Sequence, residues 1–291
     1  MNRTCAAPLS FLAVLFFLCG PRLAHAAQSY DNCTGFITTL PAVISTQGTW
    51  CLKQDLATSI SSGSAILINT NNVTIDCNDF KLGGLGGGLA TQANGIYSFD
   101  HLNATVRRCN IRGFFVGVQF AGGAPSGLLV EDNRFDGNTG VAIRVVGESS
   151  MVRRNLVFDT GGASTLGADA IGILTFYDVD VLDNTVSGLN VATGSNGNAI
   201  GIKTLFNSGS SINGNRVRGL SPDGSGVAMG ISNDSAGRVV MRDNELLGNG
   251  GTGSVGLDCF DANNSAKHNH IDHFDSAFAV CSNDGGNIAR F

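Results

Sequence analysis

Apolar and polar positions along this chain return in one repeated phrase. It reads apolar, two polar residues, asparagine, any residue, apolar. The stretch Val130-Glu131-Asp132-Asn133-Arg134-Phe135 is one copy. The fourth position falls at Asn78, Cys109, Asn133, Asn155, Asn184, Asn215, Asn244 and Asn269, so one row of eight carries cysteine instead. Successive rows are 31, 24, 22, 29, 31, 29 and 25 residues apart. Self-similarity at this period predicts a stacked array. No helical period runs through the rows. Two to three short strands per period, with turns between them, predict an all-β fold. It is a right-handed parallel β-helix, a solenoid of about eight to nine coils with an N-terminal cap.

A second landmark follows each phrase: glycine and then an aliphatic residue, at Gly95, Gly117, Gly140, Gly172, Gly201, Gly230 and Gly256, with Ala277-Phe278 in the last row. Nearly all length variation falls between the phrase and this landmark. It takes the form of Gly/Ser/Ala-rich insertions at 82–94, 160–169, 189–198 and 219–227. Residues 27–64 lack the phrase and are expected to form the cap, with the array over 65–291.

Stacking assigns roles to the ladder positions. The first and sixth are apolar in every row, from Ile75 and Phe80 to Ala266 and Ile271, and should point inward. Most of the seventeen phenylalanines are expected in that core or in an N-terminal leader. The asparagines are expected at the bend, where their side chains tolerate left-handed backbone and stack amide on amide. The landmark glycine is expected at a bend too tight for a side chain.

Composition narrows the class. The chain has 14% charged residues, 43% hydrophobic residues and a net charge of −5. No basic run is present, which excludes nucleic acid as a natural partner. Arg3, the apolar run 9–18 and Ala24-His25-Ala26 read as a secretory leader over 1–26, predicting a secreted or periplasmic protein. No later segment is apolar enough for a transmembrane span. Removing the leader leaves Cys33, Cys51, Cys77, Cys109, Cys259 and Cys281. Proximity and register favour Cys33–Cys51, Cys77–Cys109 and Cys259–Cys281 bridges; buried free thiols are the rival reading.

Val73-Thr74-Ile75-Asp76-Cys77-Asn78, paired with Val106-Arg107-Arg108-Cys109-Asn110-Ile111-Arg112-Gly113-Phe114, resembles the opening coils of bacterial secreted parallel β-helix repeat proteins of the pectin-lyase-like superfamily. The resemblance covers about residues 45–285. It implies the fold but not an activity, because this fold carries many functions. The superfamily's polygalacturonase, pectate-lyase and alginate-epimerase segments are absent.

Candidate chemistry lies in the two polar positions before the asparagine. Asp76, Arg107, Glu131, Asp132 and Arg153 could supply an arginine base and acidic ligands for calcium, the parts that the resemblance implies for a uronate lyase. The simpler reading of the same residues is a ladder of cross-strand ion pairs. His268 and His270 are weak zinc candidates on alternate residues, against an ordinary polar C-terminal surface. Two functions follow. One is an exported β-helix that binds or modifies an extracellular acidic polysaccharide, lyase-like if catalytic. The other is a structural or adhesive envelope protein. A shortage of Trp and Tyr counts against the first and leaves Tyr97 and Tyr177 as ring candidates in the array.

Overall fold

The computed structural model describes residues 30, 32–164, 169–207 and 209–291. The expected leader lies outside them. Within Asp31–Phe291 the chain winds through about nine turns, which build three parallel sheets of 11, 10 and 10 strands. One coil shows the course. Leu129–Glu131 joins sheet A, Arg134–Asp136 joins sheet C, and Val141–Val146 joins sheet B before the chain climbs to the next coil. Residues 35–57, within the expected cap, already contribute strands to all three sheets.

The phrase makes the A–C corner, and its alternation explains the core. Val130 and Phe135 point inward and are fully buried, as is Ile143 on sheet B. In the first row the register corrects the expected ladder. Ile111 pairs with Leu82, so Leu82 fills the slot assigned to Phe80. The reason is a wider corner, where Asn78 and Asp79 both take positive φ, 47° and 64°.

The bend also falls one residue earlier than expected. Arg108, Asp132, Arg154, Asp183, Gly214, Asp243 and His268, at the third position, carry the left-handed backbone, with φ of 51–68°. The asparagine after each turns its side chain inward. Asn155 donates from Nδ2 to the Val130 carbonyl at 2.9 Å. Its Oδ1 accepts from the Asn133 backbone N–H at 3.1 Å and from Asn133 Nδ2 at 3.0 Å. The same pattern runs from Asn133 through Asn155, Asn184, Asn215, Asn244 and Asn269, and Asn287 extends it. Asn78 is not part of this amide ladder. It donates to the Leu52 carbonyl and accepts from Arg108. The Cys77–Cys109 disulfide stands below Asn133 instead, and the Cys109 N–H donates to Asn133 Oδ1 at 3.0 Å. Cys33–Cys51 and Cys259–Cys281 are also bonded, which removes the free-thiol reading.

Gly140 sits at a bend, as expected, but the other landmark glycines do not. Gly95, Gly117, Gly172, Gly201, Gly230 and Gly256 lie inside sheet B strands, and none has positive φ. A Cβ on Gly172 would stand 2.6 Å from the carbonyl oxygen of Gly201 on the next coil, so close approach between coils explains the small residue. Register places Ala142, not Gly140, in this column, because Val118 pairs with Ile143.

Candidate functional site

The five sequence candidates fall into two separate clusters at the A–C corner. Buried Asp76 accepts from Arg107 Nε and Arg108 Nε, both at 2.9 Å, and from Arg108 Nη2. One coil pair further on, Arg153 Nε and Arg154 Nη2 donate to Glu131 Oε2 at 2.9 and 2.8 Å. Arg154 also grips Asp132 with two bonds of 2.7 Å. Arg107 and Glu131 are register partners, yet no ion pair joins the clusters among the described residues.

Electrostatics at this corner favour structure over catalysis. Burial pushes the Asp76 carboxyl up, but bonds from Arg108 and the Asn78 N–H, with the two arginine charges, outweigh it and hold the group below its ordinary value. The Arg154 bond likewise lowers Asp132. Asp76 and Asp132, held by guanidinium groups, are weakened as bases and as calcium ligands, and the same bonds raise Arg108 and Arg154, which stay charged. His268 Nδ1 lies 3.7 Å from Asp243 at the corner, whereas His270 belongs to a sheet C strand. No group of three or more metal-ligating side chains converges among the described residues.

A different face carries unmet chemistry. On sheet B, the residue two places after each small-column residue points outward. Register stacks Tyr97, Gln119, Arg144, Leu174, Lys203, Ser232 and Asp258 in one column. The insertions end where these strands begin, so they border one edge of the face. At the other edge Phe176, Tyr177 and Phe206 form a cluster, with ring centroids 6.3 Å apart for Phe176–Phe206 and 6.2 Å for Tyr177–Phe206. Arg144 lies over the Phe176 ring at 5.3 Å, and its buried Nε has no hydrogen-bond partner. Tyr177 and Phe206 adopt φ of 64° and 56°, a region that bulky side chains rarely occupy. Phe206 is nevertheless 63% exposed. Strain of this kind gathers at ligand clamps and costs on the order of 1–3 kcal/mol.

Further along the column, Lys203 Nζ pairs with Asp234 at 3.0 Å. Burial pushes the Asp258 carboxyl up, and the Asp234 charge adds to it, against the Phe260 N–H and Lys203. Phe99, Phe206 and Phe260 stand outside the core that takes other phenylalanines such as Phe114, Phe120 and Phe135, and are exposed where the chain leaves sheet B. Reading outward two residues from the second landmark would have found the column except Arg144, because Ala142 and not the landmark Gly140 stands in register in that row. The rings at the turn had no comparable signal apart from Tyr177.

Residues 42–186 match the family model described as right handed beta helix region. With its three parallel sheets, the chain is a right-handed parallel β-helix. No curated protein matches its sequence. An alginate lyase from Paenibacillus sp. str. FPU-7 is similar at 12% identity and a TM-score of 0.44, over 89% of this chain and 98% of that one. The mannuronan C-5 epimerase AlgE6 A-module of Azotobacter vinelandii is similar at 13% identity and a TM-score of 0.39, over 88% of this chain and 91% of that one. Neither likeness assigns a role to any residue here.

Proposed function

We propose that this chain is an exported β-helix that binds an acidic polysaccharide along the outer face of sheet B. The observation that carries the reading is the strained, exposed ring cluster beside an arginine with an unpartnered donor. Sugar rings present an apolar face that stacks on aromatic side chains, and a uronate carboxylate accepts the bidentate bonds that guanidinium offers. Arg144 and Lys203 lie two coils apart, roughly 10 Å at the usual strand spacing, so an extended chain could meet both. The three disulfides suit an oxidising compartment. The reading is one of binding, and the A–C corner supplies its structural support rather than its chemistry.

Affinity electrophoresis against polygalacturonate, alginate, hyaluronan and neutral glucans tests it. Retardation by an acidic polymer, weakened by salt and by Arg144→Gln, is the expected result. No retardation by any acidic polymer would refute the reading and favour the structural or adhesive alternative. The same polymers incubated with the protein and followed for unsaturated uronate would reveal lyase action.

A further inference from the structure

We propose a second, independent site on sheet C that takes a compact oxyanion, such as the carboxylate of a single sugar acid. A groove of about 330 Å³ opens on that sheet between Arg112, Arg134, Asn110 and the Lys81–Asp55 pair. Its shape follows from the register. Arg112 stacks above Gly83, which has no side chain to fill the space beneath the guanidinium. Arg134 stands one coil up beside Asn110 and lies over the Phe158 ring at 4.9 Å, which fixes its plane. Asn110 is pinned by its Nδ2 bond to the Asp79 carbonyl.

The charges in this groove differ from those at the A–C corner. There Arg107, Arg108, Arg153 and Arg154 are all bonded to carboxylates. On sheet C itself, Arg216 pairs with Glu245 at 2.8 Å. Arg112 and Arg134 form no ion pair with any described residue, although Asp136 is the register partner of Arg112. The buried Nε of Arg112 has no hydrogen-bond partner among the described residues. A buried donor left unmet has a standing demand for an acceptor, and two forks facing one groove match the paired oxygens of an oxyanion. Lys81 is neutralised by Asp55 at 3.0 Å. Asp79 and Asp136 also line the groove, so its formal charge is zero and an anion is held by the two forks at close range rather than by net charge, which suits a compact group over a polyanion.

Arginine Nε–H correlation spectra of the full mature chain, titrated separately with sodium glucuronate, inorganic sulfate and inorganic phosphate, test the site. Saturable shifts of the Arg112 and Arg134 signals are expected. Arg112→Gln and Arg134→Gln should each weaken binding at least about tenfold, the scale of one lost charge-assisted bond. Arg112→Lys, which keeps the charge and removes the fork, should weaken it as well, while Arg216→Gln leaves it unchanged. Response to glucuronate alone identifies a sugar acid, and equal response to all three a general oxyanion site. Absence of shifts with every probe would overturn the proposal. So would shifts that survive both glutamine variants, or that only Arg144→Gln abolishes.

Discussion

Phe206→Asn separates a ring kept for binding from a ring kept for packing. Asparagine accepts the left-handed backbone at φ 56° that phenylalanine resists, so the substitution relieves about 1 kcal/mol of strain. Against this stand the lost contacts with Phe176 and Tyr177, together about 1–2 kcal/mol. Phe206 is 63% exposed, so roughly a third of a full phenylalanine burial, about 0.5–1 kcal/mol, is lost as well. The net effect is a destabilisation of about 1 kcal/mol, rising to 2 at most. A packing phenylalanine behaves differently: Phe135→Ala, at a fully buried position, should cost about 3–5 kcal/mol. Denaturant midpoints of the two variants give the comparison. Calorimetric titration with the acidic oligosaccharide selected by electrophoresis should show Phe206→Asn binding about tenfold or more weakly, equivalent to about 1.4 kcal/mol. Unchanged affinity, or a stability loss of the size seen with Phe135→Ala, would refute the assignment of this ring to a ligand.

Two further outcomes test the frame and the face. Asn184→Ala removes the donor to the Val152 and Leu182 carbonyls and the acceptor of the Asn155 N–H; the Val152 and Asn155 bonds are buried and the Leu182 bond half-buried. At about 1–3 kcal/mol per orphaned group, the loss should reach about 3–5 kcal/mol, and Asn287→Ala at the ladder's end should lose less; equal losses in urea denaturation would contradict a cooperative ladder. For Asp258, whose carboxyl is raised in the fold, the folded chain holds the proton more tightly than the unfolded chain. Its contribution therefore falls as pH rises from the ordinary carboxylate value through the raised one. Asp258→Asn should be more stable than the parent at neutral pH, with the gap closing towards acid; a gap that widens in acid would reverse the sign.

How much of this could be read from the sequence depends on whether a feature repeats in one dimension or is decided by stacking. Val130, Val152 and Val181 were legible as core because their apolar character recurs at the same phrase position. The cysteine pairs were legible because the same register carries them to neighbouring coils. Asn287 escaped because Asp284-Gly285-Gly286 break the phrase before it, although its amide completes the ladder. The left-handed residue was misplaced by one because Asp132 and Asn133 are both side chains that tolerate such a turn, and only the inward hydrogen bonds distinguish them. Leu82 and Ala142 were missed because corner width, not residue type, sets which side chain meets the next coil. The ring cluster was hidden for a related reason. Phenylalanine is a core residue by habit, and nothing local to Phe206 reveals that its turn faces water.

The same stacking explains why charge means different things on the two faces. At the A–C corner, Asp76 precedes Arg107-Arg108 by one coil, and Glu131-Asp132 precede Arg153-Arg154 by one coil. Skipping one coil would place Asp76 against Glu131 and Arg107-Arg108 against Arg153-Arg154, like charge on like, so these pairs oppose misregistered coils. Their mutual neutralisation is what disqualifies them as a site. On sheet B the Gly/Ala column lets neighbouring coils approach closely, and the ion pair there is Lys203–Asp234. Arg144 forms no ion pair with any described residue. Its Nε remains unpartnered among the described residues over the Phe176 ring, beside the edge of the face where the strained rings stand. A charge that the fold does not require, held against an aromatic face that the backbone strains to present, is the combination expected where a ligand completes the structure.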